Sequence, residues 1–201
     1  MDYLAIKQNS GPPGAPWVCV FGTSDPADKA SVREAEWLGR GLAERGCVVV
    51  TGGYGAAMEG ANRGAKKAGG FTVGVTCSIF SRRPNGWIDR QIETHSLLER
   101  LDTLLRLGDG YVAGKGGTGT LAEIAVAWEY VNKRIVTRRP LVLLGAFWEK
   151  LPSIISDQAA APGVSIGRAA DSILTAGDVE EAVRLVTERM QALEPGSDSH
   201  S

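Results

Sequence analysis

Two patterns of apolar residues alternate along most of this chain. Short unbroken apolar runs, such as residues 17–21 (WVCVF) and 47–50 (CVVV), predict buried strands, because a strand covered on both faces does not alternate apolar and polar positions. Between these runs, as at residues 57–68, apolar positions recur at helical spacing. The chain is therefore predicted to form a single α/β domain, a Rossmann-like doubly wound parallel sheet with helices on both faces.

The same alternation continues through the rest of the chain. Further strands are predicted at residues 71–75, 92–94, 111–113, 141–144 and 172–174, and further helices near 32–42, 97–105, 121–131, 147–156 and 179–190. Residues 77–90 are too polar and too rich in turn formers to continue the sheet, so we expect an irregular segment, a candidate lid. The Gly-, Pro- and Ser-rich ends predict flexible tails at residues 1–16 and 194–201, which leaves 17–193 as the nucleotide-binding domain.

Three of the predicted strands run directly into glycine turns that open helices. The residues in these turns are Gly22, Thr23 and Ser24 in the first, Gly52 and Gly53 in the second, and Gly116, Gly117, Thr118, Gly119 and Thr120 in the third. In open doubly wound sheets the ligand binds outside the carboxyl ends of the strands, where the strand order reverses. The free N–H groups and the dipole of a helix start favour phosphate. We therefore predict a phosphate or nucleotide site at these turns.

Two better-known phosphate motifs fit this sequence poorly. Residues 114–119 (GKGGTG) match the dinucleotide fingerprint G-x-G-x-x-G, but a single match of this kind is weak. An NAD site normally uses the first strand–helix unit and an acidic residue at the end of the next strand, whereas here the next strand ends in Leu144 and Gly145. A Walker A loop is excluded because Lys115 is followed by glycine. No cofactor is expected.

Composition narrows the classes of partner. The 22 Lys and Arg residues nearly balance the 23 Asp and Glu residues, so the chain lacks the basic surface that nucleic-acid binding needs. The three cysteines share no metal or redox spacing and predict buried free thiols. His95 is the single histidine before the C-terminal tail, and we expect no metal site. With no long apolar run, we expect a cytoplasmic protein without a membrane partner.

The third turn and its surroundings resemble one known family. Residues 116–123 (GGTGTLAE) resemble the P-G-G-x-G-T-x-x-E signature of the LOG (LONELY GUY) family, and residues 21–24 and 51–70 resemble the family's first two glycine turns. Arg100 stands fifteen residues before Lys115, where the family has the arginine of its M-H-x-R-K motif. The resemblance covers roughly residues 17–150. It implies a Rossmann-like homodimer, with a tetramer as the alternative, that hydrolyses the N-glycosidic bond of nucleoside 5′-monophosphates such as cytokinin ribotides.

The resemblance also assigns roles to particular residues. Arg100 and Glu123 correspond to the family's catalytic arginine and glutamate, and residues 116–120 to its phosphate loop. A carboxylate can stabilise the oxocarbenium-like state of this reaction or activate water, which suits Glu123. Because arginine does not deprotonate at neutral pH, Arg100 is expected to orient the substrate. Further candidate contacts to the base or the lid are Met58, Trp87 and Lys115.

Some positions depart from the family pattern and leave other interpretations open. The signature proline is Lys115, the lysine after the catalytic arginine is Leu101, and Ala122 replaces an acidic residue. The alternative function is a non-catalytic carrier of a nucleotide or phosphorylated cofactor, similar to molybdenum-cofactor carrier proteins. On simpler interpretations, Glu123 only complements its helix dipole and Arg100 is an ordinary exposed residue.

Overall fold

A computed structural model describes residues 2–154 and 173–193. Its centre is a sheet of seven strands: β1 Trp17–Phe21, β2 Val48–Thr51, β3 Thr72–Cys77, β4 Arg90–Thr94, β5 Gly110–Ala113, β6 Leu141–Leu144 and β7 Ile173–Ala176. The strand order is β4-β3-β2-β1-β5-β6-β7, and every neighbouring pair is parallel. The predicted Rossmann-like fold is confirmed, and the strand order reverses between β1 and β5.

Six helices whose full extent lies in the described residues flank the sheet: α1 Tyr3–Ser10, α2 Lys29–Glu44, α3 Ala57–Lys67, α4 Leu97–Leu107, α5 Thr118–Asn132 and α6 Val179–Ala192. Four of them begin at side chains that accept a backbone N–H bond, namely Asp2 before α1, Asp28 before α2, Ser96 before α4 and Asp178 before α6. A 3₁₀ turn at Ala146–Trp148 and helical residues 151–154 occupy the predicted helix at 147–156, whose last two residues lie outside the described part.

The helices cover the two faces of the sheet with separate cores. On one face, α2, α3 and α6 pack through residues such as Leu38, Ala61 and Val183. On the other, α4 and α5 pack through Leu105 and Ile124, with α1 against their edge. Strands β1, β2, β5 and β6 are buried on both sides, which is why their sequences contain no polar alternation. The three cysteines are buried free thiols, as predicted.

The start of the chain differs from the expected flexible tail. Residues 3–10 form α1, in which the Tyr3 hydroxyl donates to Asp102 at 2.9 Å and the Lys7 ammonium pairs with Asp109 at 2.5 Å. Asp109 also accepts a bond from the Trp17 N–H. The expectation is wrong for residues 3–10 because these polar contacts with distant parts of the chain, together with the packing of Tyr3 and Ile6 against the core, hold the helix in place. Residues 194–201 lie outside the described part.

Within the described ranges 2–154 and 173–193, none of the helices combines the length and apolar character needed to cross a lipid bilayer.

Candidate functional site

The turns after β1 and β5 lie side by side, as the predicted strand order requires. The Thr23 N–H donates to the Lys115 carbonyl at 2.9 Å, and the Thr120 hydroxyl donates to the Gly22 carbonyl at 3.1 Å. A side chain at Gly116 would overlap the Thr120 hydroxyl, so only glycine fits this close approach. The two turns thus form one crevice at the carboxyl edge of the sheet, where ligands bind in this class of fold.

The start of α5 leaves hydrogen-bond donors open in this crevice. Gly117 precedes the helix with no side chain capping it, and Gly117, Thr118 and Gly119 are exposed. The first N–H groups of a helix have no partner inside the helix, and they lie at the positive end of its dipole. The arrangement suits an anion such as phosphate. Ser24 is also exposed, in the neighbouring turn after β1.

The turn after β2 joins the same crevice. The Ala57 N–H at the start of α3 donates to the Thr23 carbonyl at 3.1 Å, which ties the first two turns together. Gly53 has φ +78°, in the left-handed region that favours glycine. At Gly52 a β-carbon would overlap the Arg100 guanidinium and would lie 2.7 Å from the Met58 sulfur. Arg100 and Met58 therefore both lie against this second glycine turn.

Arg100 is buried, although most arginines in helices point to solvent. Its Nε donates to the Val75 carbonyl at 2.8 Å, and the rings of Tyr54 and Phe80 lie 5.7 Å and 6.0 Å from its guanidinium carbon. In the described part of the chain no carboxylate lies within ion-pair distance of this guanidinium. A buried charge without a counter-ion is costly. The simple interpretation of Arg100 as an exposed residue is wrong, and its position favours an anionic or electron-rich ligand.

Glu123 lies one turn into α5 and is partly buried. Burial raises the pKa of its carboxyl to about 7, and the positive charge of Arg100 opposes that rise. Neither a hydrogen bond nor an ion pair holds the carboxyl among residues 2–154 and 173–193. A glutamate that only complements a helix dipole would have a lowered pKa. Glu123 lies beyond the first turn of α5, and its burial makes it a group that changes charge near neutral pH.

Lys115 is directed away from the phosphate loop. Its ammonium pairs with Asp28 at 2.9 Å, and Asp28 also accepts the Ser31 N–H at the start of α2. The hydrogen bond from Lys115 is the main reason why the pKa of Asp28 is lowered to about 2. Lys115, which stands where the family has proline, therefore links the third turn to α2.

Replacing Lys115 with methionine is expected to change phosphate affinity by less than about threefold, because an exposed pair of this kind contributes little. Titration of inorganic phosphate into wild type and Lys115→Met by calorimetry would measure it. Lys133→Met, which removes an exposed lysine at the other end of α5, is the control. A tenfold loss confined to Lys115→Met would instead make Lys115 a direct phosphate ligand.

Trp87 is not brought together with the other candidates. Its carbonyl accepts the Thr72 hydroxyl at 2.6 Å, which places its main chain at the amino end of β3, opposite the glycine turns. Asn85 holds the segment between β3 and β4 instead: its N–H donates to the Gly53 carbonyl at 2.9 Å and its side-chain amide to the Tyr54 carbonyl at 2.8 Å. The candidate lid is therefore bound to the second turn.

Three residues at this site, Tyr54, Phe80 and Asn85, were not predicted from the sequence. Of these three, Tyr54 was the one that the sequence could have indicated as a site residue, because it is an aromatic residue directly after two glycines. Asn85 stands between Pro84 and Gly86 and has the composition of an ordinary turn. Nothing in the local sequence distinguishes Phe80, because its contact with Arg100 joins two distant segments.

A second cavity lies at the opposite, amino-terminal edge of the sheet. It measures about 620 Å³ and is lined in part by Lys7, Trp17, Asp109 and Arg138. Lys7 and Asp109 neutralise one another there. Arg100 against the second glycine turn and Glu123 one turn into α5, by contrast, have no ion-pair partner among the described residues. The crevice at the carboxyl edge is therefore the candidate functional site.

The fold and site define a Rossmann-like α/β protein with a crevice between glycine turns at the carboxyl edge of its sheet. The chain belongs to the SLOG cluster4 family, whose model matches residues 15–171, and the resemblance to LOG proteins is confirmed.

Its relatives include proteins of rice, Oryza sativa subsp. japonica. The probable cytokinin riboside 5′-monophosphate phosphoribohydrolase LOGL5 is 35% identical over 138 residues, which cover 63% of this chain and 53% of that protein. The cytokinin riboside 5′-monophosphate phosphoribohydrolase LOG is 29% identical over 187 residues, 89% of this chain and 76% of that protein. The match thus spans about half the length of LOGL5 and about three quarters of LOG.

Solved structures point to a second group of similar proteins. The molybdenum cofactor binding protein from the phototrophic bacterium Rippkaea orientalis has a TM-score of 0.72 and 25% sequence identity. The match covers 89% of this chain and 99% of that chain. The proteins similar to this chain therefore include relatives named as phosphoribohydrolases and a structural neighbour named as a molybdenum cofactor binding protein.

Proposed function

We propose that this protein hydrolyses the N-glycosidic bond of a nucleoside 5′-monophosphate, a cytokinin ribotide or an AMP-like nucleotide, to free base and ribose 5-phosphate. The observation that carries the proposal is Glu123: its carboxyl has a pKa of about 7, is coupled to the charge of Arg100, and lies one turn from the open start of α5. The names of the rice relatives support the same reaction class.

The phosphate would bind at the loop of residues 116–120, with the turn of Gly22, Thr23 and Ser24 beside it. Glu123 is four residues beyond Gly119, about 6 Å along the helix axis at 1.5 Å per residue. A ribose attached to the bound phosphate would therefore come within reach of the Glu123 carboxyl. Binding of the phosphate would orient the sugar for reaction, which is the role that remote binding groups have in catalysis.

In the proposed reaction a water oxygen forms a bond to C1′ while the C1′–N bond breaks. The base leaves with the electron pair of that bond and takes up a proton. Ionised Glu123 accepts the proton of the attacking water and stabilises the positive charge that develops on the ribose ring. Arg100 donates hydrogen bonds that orient the ligand, because a guanidinium holds its protons at neutral pH.

Base release is expected to depend on pH through Glu123. Its pKa is raised to about 7, so the carboxyl is neutral below that pH and cannot accept a proton from water. We expect kcat/KM to rise with pH through about 7 and to be roughly tenfold lower one unit below this pKa than on the plateau. Rates with AMP from pH 5.5 to 9 at constant ionic strength would show the rise. A flat profile would contradict a role for Glu123 as the base.

The direct test of the function is incubation of the pure protein with AMP and a panel of ribotides, including cytokinin ribotides. Free base would be measured by chromatography, with a plant LOG protein as the positive control. Release of base from at least one ribotide is expected. If the positive control is active and this protein releases base from none of them, the proposed hydrolase function is wrong.

A second function, a carrier of a nucleotide or phosphorylated cofactor, is favoured by the similarity to the Rippkaea orientalis protein and by the departures at Leu101, Lys115 and Ala122. A carrier binds its ligand without consuming it. Full ligand affinity in Glu123→Ala, together with no turnover by wild type, would favour the carrier over the hydrolase.

We also propose that the protein is a homodimer, with a tetramer as the alternative. Leu97 and Leu98 on α4 are 52% and 77% exposed, and Leu121 on α5 is 39% exposed. The Tyr130 hydroxyl donates to Asp102 at 2.8 Å and joins these two helices, so the exposed leucines lie on one side of the molecule. Exposed apolar surface of this kind is typical of an interface. Light scattering of the purified protein would give its mass; a monomer at micromolar concentration would contradict the proposal.

A further inference from the structure

We infer that the aromatic cluster of Tyr54, Phe80 and Arg100 at the carboxyl end of β3 is the subsite for the base of the ligand, with Phe80 as the ring that the base would contact. This inference rests on the proposed nucleotide site and names the chemical class that the far end of the crevice would bind, a flat heteroaromatic ring.

The cluster is built around Arg100. Phe80 follows β3 in a turn, where its N–H donates to the Cys77 carbonyl at 3.1 Å. Its ring meets the Tyr54 ring edge to face, with 5.8 Å between centroids, and both rings lie within about 6 Å of the Arg100 guanidinium carbon. Two aromatic rings and a planar cation thus form a compact group at the end of the strand.

Within this group, Phe80 is the ring that is available to a ligand. Tyr54 is buried, and its hydroxyl donates to the Cys77 carbonyl at 3.0 Å while it accepts the Cys77 N–H at 2.8 Å. The polar end of Tyr54 is therefore fully used by the protein. Phe80 is partly exposed, has no polar atom to satisfy, and lies beside a guanidinium that has donors to spare. An aromatic ring beside an arginine plane is a stacking platform for a nucleobase.

The sheet order gives the distance from the phosphate loop to this cluster. The strands β5, β1, β2 and β3 are consecutive neighbours. With about 4.8 Å between neighbouring strands, the ends of β5 and β3 are roughly 14 Å apart. The phosphate loop after β5 and the cluster after β3 therefore lie on the same edge of the sheet, with the turns after β1 and β2 between them.

Among the candidate base contacts predicted from the sequence, Trp87 is the aromatic one. Its main chain is at the amino end of β3, whereas Phe80 follows the carboxyl end of the same strand. The base subsite is therefore assigned to the residue that tertiary structure brings to Arg100.

Calorimetry with AMP and with ribose 5-phosphate would test the assignment. Both ligands would be titrated into Glu123→Gln protein, which prevents turnover, with and without Phe80→Ala or Phe80→Leu. We expect AMP affinity to fall roughly tenfold in both Phe80 variants, as for loss of one stacked base, and ribose 5-phosphate affinity to stay within about twofold. Phe80→Trp should restore AMP affinity. Trp37→Ala, which removes an exposed ring on α2, is the control.

Unchanged AMP affinity in both variants, or an equal loss for AMP and ribose 5-phosphate, would overturn the assignment. Phe80→Leu keeps most of the apolar volume, so a loss shared by both variants follows from the missing ring and not from unfolding. The hydrolysis assay on wild type decides the proposed function separately. A selective loss of AMP affinity would support the subsite even if wild type released no base, and base release without this selectivity would reject the subsite alone.

Discussion

Replacing Glu123 with glutamine is expected to lower base release from AMP by about 10²- to 10⁴-fold, the usual contribution of a general base. Glutamine has nearly the same shape but cannot accept a proton from water or carry the negative charge that stabilises the ribosyl cation. Release of base measured at pH 8, where wild-type Glu123 is ionised, would show the full difference. The remaining activity of Glu123→Gln should no longer rise with pH through 7.

The same substitution should stabilise the fold at high pH. The Glu123 pKa is raised from its ordinary value of 4.5 to about 7 in the folded chain. The folded state therefore binds more protons than the unfolded state between these values, and its stability falls as pH rises through this window. Glu123→Gln avoids that loss. We expect its unfolding free energy to exceed that of wild type by roughly 1 to 3 kcal/mol at pH 8 and by little at pH 4.5.

Glu129→Gln is the matched control for both measurements. Glu129 lies on the same helix, is exposed, and pairs there with Lys133. Its replacement should leave base release unchanged and shift stability only slightly. If Glu123→Gln kept wild-type activity, or lost stability at pH 8 relative to wild type, the role given to Glu123 would be wrong. More stability with less activity is a common feature of active-site carboxylates.

The substitution Gly52→Ala is expected to lower base release by about 10²-fold while the protein stays folded. The added methyl group would overlap the Arg100 guanidinium, so that Arg100 would have to leave its place between Tyr54 and Phe80. A misplacement of about 1 Å in a group that orients substrate can cost a hundredfold in rate. The kinetics would be compared with circular dichroism spectra and melting curves of the same preparation.

Gly55→Ala tests whether the effect is specific. Gly55 lies in the same turn, but a β-carbon there meets no atom within 4 Å and its backbone is outside the left-handed region. It should keep wild-type activity. If Gly52→Ala acts through Arg100, the double variant with Arg100→Met should be no worse than Arg100→Met alone, because contacting residues do not act additively. Full additivity, or an equal loss in Gly55→Ala, would contradict the mechanism.

Much of the fold could be predicted from local sequence. Strand positions follow from apolar runs such as residues 17–21 and 141–144, which are buried on both faces. The observed bounds of a strand differ from the predicted ones where packing extends the strand. For example, β3 was predicted at residues 71–75 and ends at Cys77. Helix α1 was missed because polar contacts with Asp102 and Asp109 hold it, and such contacts leave no periodic pattern in the sequence.

The candidate site, like the fold, could be predicted from the sequence only in part. The glycine turns were predicted from residue type, because glycine is favoured where two backbones meet or where φ is positive. The direction of a long side chain was not predictable. Lys115 reaches Asp28 instead of the loop, and Arg100 turns inward to Val75.

The α/β class, the parallel sheet and the glycine turns were thus predictable from the residues, because they depend on local periodicity and on backbone freedom. The resemblance to the LOG family implied Arg100 and Glu123 as the candidate catalytic pair. The folded chain was needed to show that Arg100 is buried without a carboxylate partner among the described residues, that the Glu123 pKa is near 7, and that Phe80 and not Trp87 lies beside Arg100. The physical reason is that burial, electrostatic coupling and ring contacts depend on which distant segments meet, and no local pattern records that.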